Sequence, residues 1–492
     1  MKKHFILPLF GLTLLAGCNF LQREPLTSIT PNNFFSNGDD AESSLTAVYD
    51  ALQGGGAYGQ DLLTMGEMPS DNCTSNSNDV SNLENIAWTP NTSQVGNVFR
   101  QAYLTINRAN IVLKYVPTIA MDTARRSQIQ GEARFMRALS YFNLVRAYGG
   151  VPLHLTPSET ASAAELNLPR ATSQQVYDQV VADLSRAAIQ MPISNANRAV
   201  KNSANALLAR VQITQRNWPA AQAAAAKVLA SNISLGSFKS LFPAENKGAE
   251  SLFEVQFAGT PDGQNLLPDE TLPFPLTLYS FSKFNLPTAE LISYADTVND
   301  LRWAYAGNVT SNGKFVGRSH VSYLDARKNQ AISSATNDRG NFPYKSTSYG
   351  NNFNSVDNTY VLRYAEVLLN YAEASNEQNG PTTDALTRLN AVRQRAGLAA
   401  LGLGSPEAAT KQALRNEIDR QRRLELAFEG ERWFDLLRYA RHNQVEPGAH
   451  TVTALDLIAQ FRKGLRDANY LLFPIPQGEI NTNPQLQQNP GY

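Results

Sequence analysis

The sequence predicts a mostly α-helical chain built from helical hairpins, interrupted by one large, irregular, loop-rich region with a few short strands. Three observations predict it. Apolar residues recur at helical spacing over residues 98–230 and again over 359–440. Clusters of Gly, Pro, Asn and Ser cut these stretches into pieces one helix long, joined by connections of a few residues, as antiparallel helix pairs require. Between them, residues 231–358 lose the helical period and gain prolines, which are dense from Pro261 to Pro287.

In chain order, residues 39–52 read as the first helix, ended by Gly54-Gly55-Gly56. Residues 54–94 form a long polar stretch with Pro69 and Pro90 as breakers, and such a stretch inside a compact protein is either functional or unstructured. Residues 98–116 and 123–148 are helices. In the second, Phe135, Ala138, Leu139, Phe142 and Val145 make one broad apolar face, so it needs helical neighbours. Gly149-Gly150 suits the left-handed backbone of a helix end, and Pro152 cannot continue a helix. Residues 173–190, 201–214 and 218–230 give three more helices, the last Ala-rich. These pairs have the size of tetratricopeptide hairpins, although no repeat register is legible. Residues 251–257 alternate at period two and predict a strand. Helices return over residues 359–379 and 384–396.

Residues 418–438 carry Arg422–Glu425, Glu429–Arg432, Arg432–Asp435 and Asp435–Arg438 at i,i+3 spacing, which predicts a structural ion network along a helix. Glu425 and Glu429 sit four apart, but arginines and large apolar residues surround them. A glycosidase would need two carboxylates facing a cleft.

Composition narrows the classes. In 492 residues, Lys plus Arg equals Asp plus Glu at 43 each, so there is no electrostatic footprint for nucleic acid. Two cysteines, Cys18 and Cys73, exclude a disulfide framework. No P-loop, GxSxG, HExxH or paired-Cys motif occurs, so the sequence predicts no enzyme and no cofactor. Met1-Lys2-Lys3, an apolar run over residues 5–15 and Leu15-Ala16-Gly17-Cys18 resemble a lipoprotein signal peptide ending in a lipobox. Residues 1–17 are then removed, Cys18 is acylated, and residues 18–30 are a tether. Cys73 is left as a free thiol. Without residues 1–17 the balance is 41 basic minus 43 acidic, a net −2.

Four stretches carry a family resemblance. They are Gly131 to Leu153 (GEARFMRALSYFNLVRAYGGVPL), "LRYAEVLLNYAEA" from Leu362, "RRLELAFEGERWFDLLR" from Arg422, and the ending "LFPIPQGEI…QNPGY" from Leu472 to Tyr492. Together they resemble the SusD/RagB family of outer-membrane nutrient-binding lipoproteins. Gln421 stands where that family usually has Glu. The resemblance implies one unit over residues 31–492, with a helical scaffold at about 31–230 and 359–440. A loop-rich ligand-binding region covers about 231–358, and a C-terminal segment covers 441–492. It implies a protein lipid-anchored to the outer membrane and exposed at the cell surface. There it captures an oligosaccharide, or a peptide, and delivers it to a SusC-like TonB-dependent transporter. The other class is a helical-repeat interaction scaffold with no small ligand. Sugars offer C–H faces to aromatic rings and hydroxyls to amides and carboxylates. The expected ligand residues are therefore Asp71, Asn72 and Trp88 in the first connector and Trp303, Tyr305 and Tyr323 in the second.

Overall fold

The computed structural model describes residues 34–160, 162–241, 248–271, 282–296, 299–303, 324–325, 330–331 and 353–492. The expectations for the signal peptide, the tether, Cys18, Tyr305 and Tyr323 lie outside these residues.

The frame is helical. Helix α1 (Gly38–Asp50) starts in a capping box on Asn37, whose side chain accepts from the backbone N–H groups of Asp39 and Asp40. Helices α2 (Asp61–Glu67), α3 (Ser93–Tyr115), α4 (Thr123–Tyr148), α5 (Ser173–Gln190), α6 (Lys201–Thr214) and α7 (Trp218–Leu229) follow. Successive long helices pack on each other, α3 on α4, α4 on α5, α5 on α6 and α6 on α7. The frame continues through α9 (Tyr364–Asn379), which packs on α7 and on α10 (Thr383–Arg395). A short helix, α8 (Ala289–Tyr294), lies in the loop-rich region.

Helix α4 differs from its amphipathic reading. From Gly131 to Tyr148 every residue except Arg134 is buried, most of the polar ones included. Each buried polar side chain has a partner, as burial demands. Glu132 accepts from Tyr49 and Arg125. Arg137 forks onto both oxygens of Asp183 at 2.8 Å. Arg146 binds Glu431 at 2.6 Å. The end of α4 is as expected: Gly149 has φ +77° and its N–H bonds the Val145 carbonyl.

The strands are few. β1 (Cys73–Thr74) pairs with β3 (Leu286–Pro287), β2 (Ser251–Val255) with β6 (Thr359–Arg363), and β4 (Leu324–Asp325) with β5 (Gln330–Ala331), all antiparallel. β6 corrects the expected helix over residues 359–379, whose first five residues are a strand. Thr359, Tyr360 and Val361 suit a pleated ladder, and β2 supplies the partner.

The C-terminal signature also departs from expectation. It is two helices, α11 (Lys411–Glu425) and α12 (Arg432–Asn443), with a turn between them. Phe428 at φ +65° and Gly430 at φ +78° break the helix. The buried Glu67 carboxylate accepts both their N–H groups, at 3.0 and 3.2 Å. Of the expected i,i+3 pairs, Asp435–Arg438 forms, at 2.8 Å. The other three are replaced by longer-range pairs. Arg422 binds Asp435 at 2.7 Å, Glu429 binds Arg363 at 2.6 Å, and Arg432 binds Asp71 at 2.8 Å. Glu425, fully buried, is shared by Arg302, Arg363 and Arg395.

The main apolar core runs from Ala41 in α1 to Leu486 near the C-terminus, and a second cluster joins α9, α10 and α11 through Leu368, Leu389 and Leu414. The closing QNPGY motif seals α4. Asn489 donates to the carbonyls of Tyr148 and Phe473 at 3.0 and 2.7 Å.

Candidate functional site

The two long connectors of the sequence meet at a seam. Residues of the first, 72–76, run along 283–288 of the second through the β1–β3 pairing. The Thr288 N–H bonds the Asn72 carbonyl at 2.9 Å, and the Ser75 hydroxyl bonds the Lys283 carbonyl at 2.9 Å. The first connector is far less loose than its composition implies. It contains α2, and residues 61–70 are all buried.

Polar groups line the seam. The Lys283 ammonium donates to the Asp269 carbonyl at 2.6 Å, and Gln60 reaches the half-buried Glu270 carboxyl at 3.5 Å. Burial pushes the Glu270 carboxyl up to about 7 and brings the Lys283 ammonium down to about 8. Asn76, Asn78, Asp79 and Asn82 of the first connector are exposed. This set of amides and carboxyls both donates and accepts, which suits a ligand rich in hydroxyls. Burial drives the Cys73 thiol well above its ordinary value, so it is no nucleophile at neutral pH.

Four of the six expected ligand residues prove to be the roots of the connectors, which corrects the sequence reading. Both oxygens of Asp71 are taken by Arg432 at 2.8 and 2.9 Å. Burial works to raise the Asp71 pKa, but Arg432 and Arg423 outweigh it and hold the carboxyl below its usual range. Asn72 is 0% exposed; it donates to Glu67 at 2.8 Å and accepts from Arg423 at 2.9 Å. Trp88 is 2% exposed, packed on Phe473 at 4.4 Å between ring centroids, and its N–H donates to the Tyr492 hydroxyl at 2.6 Å. Trp303 is 2% exposed and donates to the Leu424 carbonyl at 3.2 Å. None of these rings has a free face for a sugar. Trp88→Phe is therefore expected to cost about 1–2 kcal/mol of stability in denaturant titration, through one lost hydrogen bond and some volume. Glycan affinity of the folded protein is expected to be unchanged; a selective loss of affinity would restore Trp88 as a ligand contact.

The seam residues Gln60, Asn76, Glu270 and Lys283 carried no sequence signal. Their proximity joins positions about 200 apart in the chain, with no local spacing to betray it. Among the described residues, one other cluster, Glu377, His442 and Glu446, has metal-ligand proximity. Arg415 binds both Glu377 oxygens at 2.6 and 2.7 Å and reaches Glu446 at 2.9 Å, so the charge a cation would need is already neutralised.

A stacked-helix frame with two connectors knitted into one polar seam places the chain among helical-repeat proteins. Known proteins place it further. Residues 289–492 match a family model described as "SusD family", and residues 20–213 match one described as "Starch-binding associating with outer membrane". SusD-like protein P2 of Formosa agariphila is 27% identical over 100% of both chains, and SusD-like protein P38 of the same organism is 28% identical over 98% of this chain and 97% of its own. A solved laminarin-binding SusD-like protein superposes with a TM-score of 0.73 at 25% identity, covering 93% of this chain and 100% of that one. A SusD superfamily protein from Bacteroides vulgatus shares the fold with a TM-score of 0.74 at 21% identity, covering 93% and 100%. The chain belongs to the SusD/RagB family.

Proposed function

We propose that the protein captures an oligosaccharide at the cell surface and passes it unaltered to a SusC-like TonB-dependent barrel in the outer membrane. It is held there by acyl chains on Cys18 after removal of residues 1–17, and residues 31–492 act as one unit. The observation that carries this reading is the seam, where both connectors present amides and carboxyls side by side on a rigid frame. Family membership and the laminarin-binding relative support the ligand class. No helix among the described residues is long and apolar enough to cross a membrane. A binding role without catalysis agrees with the fate of Glu425 and Glu429. Arg302, Arg363 and Arg395 bind Glu425, Arg363 also binds Glu429, and neither carboxylate is left to act as acid or base.

Affinity electrophoresis and calorimetry against laminarin, starch, xylan and mannan test the reading. Tight binding of one of them without product release supports it; binding of none, with a barrel protein still co-purifying, would leave a scaffold. Titration of Glu270 gives a sharper expectation. The ionised carboxylate is the stronger acceptor for sugar hydroxyls. Affinity is therefore expected to rise as pH increases through about 7, and Glu270→Gln is expected to flatten that dependence.

A further inference from the structure

A cavity of about 490 Å³ opens on the helical side of the molecule, and none of its lining residues belongs to the seam. Its walls come from α3, the segment after Pro152, and α13 (Gln477–Thr482) with the residues that follow it. The volume falls in the range of small-ligand sites, roughly 300–1,000 Å³.

Its floor is aromatic. The Tyr103 ring lies 4.9 Å from Phe99 and 5.7 Å from His154, the latter pair at 86°. Tyr103 and His154 are both half-buried, and both line the cavity. The floor is held in place. The Tyr103 hydroxyl donates to the Pro152 carbonyl at 2.8 Å, and the His154 carbonyl accepts from Asn110 and Tyr141, each at 2.9 Å. A fixed floor spares a ligand the cost of ordering it. Burial lowers the His154 pKa, which keeps the imidazole neutral at pH 7.

The rim is polar and unspent. Asn107, Asn167 and Glu479 line the cavity, and among the described residues no hydrogen bond uses their side chains. Two amides and a carboxylate over flat rings match the two faces of a pyranose, its C–H plane and its hydroxyl edge. We propose that this cavity is a second carbohydrate site, taking one or two sugar rings of a chain whose main grip is elsewhere. The inference rests on the glycan reading only for its ligand class.

The test uses the full chain and a methyl glucoside bearing a photoactivatable diazirine, with cross-linked peptides mapped by mass spectrometry. Peptides covering residues 99–107, 152–167 and 479–486 are expected to carry label that excess methyl glucoside removes. Asn107→Trp fills the cavity from an exposed helix position and is expected to abolish that label, and Glu479→Gln to weaken it, both with unchanged thermal unfolding. Absence of cavity label, equal label in both variants, or equal label from a diazirine without the sugar overturns the proposal. Label on residues 72–84 and 265–288 is scored separately and reports on the seam, so the two readings fail independently.

Discussion

Glu425→Gln is expected to cost about 3–5 kcal/mol, because removing one member of a buried ion network strands the others. Glu425 is 0% exposed, and it is the shared counter-charge of three arginines. Arg363 meets it at 3.0 Å and Arg302 at 3.2 Å, and Arg395 reaches the same oxygen as Arg363. Glu250 and Glu429 also bind Arg363, at 2.6 Å each, but among the described residues Arg302 keeps only Asp300 as a charged partner. Denaturant midpoints would measure the loss. A Glu425→Gln, Arg363→Met double variant is expected to lose less than the sum of the single losses, since the two share one interaction. A Glu425→Gln protein within 1 kcal/mol of the parent would contradict the role given to the network, on the scale for surface pairs.

The same group predicts acid sensitivity. Burial works to raise the Glu425 pKa, but Arg395, Arg363 and Arg302 outweigh it and bring the carboxyl down from its ordinary 4.5 to about 2. Asp435, between Arg422 and Arg438, likewise falls from 3.8 to about 2. A depressed carboxyl stabilises the fold above its unfolded-state pKa, and the contribution fades as pH drops through the folded one. Stability is therefore expected to fall between about pH 4.5 and about pH 2, and to fall less in Glu425→Gln.

Gly66→Ala is the second large effect. A Cβ at Gly66 would lie 1.9 Å from the Gly430 carbonyl oxygen and 2.6 Å from its carbon, and backbone cannot yield as a flexible side chain does. Helix α2 would be forced off the α11–α12 turn, and Glu67 would lose the Phe428 and Gly430 N–H groups it binds. Overpacking and lost buried hydrogen bonds together predict about 3–5 kcal/mol. Gly402 has nothing within 4 Å of an added Cβ, so Gly402→Ala serves as the control with little change. Equal denaturation curves for the two variants would refute the packing argument.

The sequence made the frame legible where signals are local. The ends of α4, α5 and α6 follow from apolar period, caps and breakers, and the structure places them where the pattern does. Long-range facts stayed hidden. Trp88 sits among turn-forming residues and looks like a surface ring, yet its partner Tyr492 lies 404 positions away. The arginines and acids of residues 418–438 look like neighbours on one helix, but Phe428 and Gly430 turn the chain, and of the four expected pairs Asp435–Arg438 alone stays within one helix while Arg422, Glu429 and Arg432 pair with residues of other elements. Asp71 and Asn72 carry the right chemistry for sugar hydroxyls and spend it on Arg432 and Arg423. Neither periodicity nor spacing reports which polar groups are already occupied.

That internal lattice bears on how such a protein changes its diet. Asp71, Asn72, Arg302 and Trp303 clamp the connectors where they leave the frame. Lengthening a span between clamped ends costs little, since closure entropy grows only with the logarithm of length. New recognition surfaces can therefore be exchanged like tool bits in a fixed chuck, while the helices beneath keep their packing.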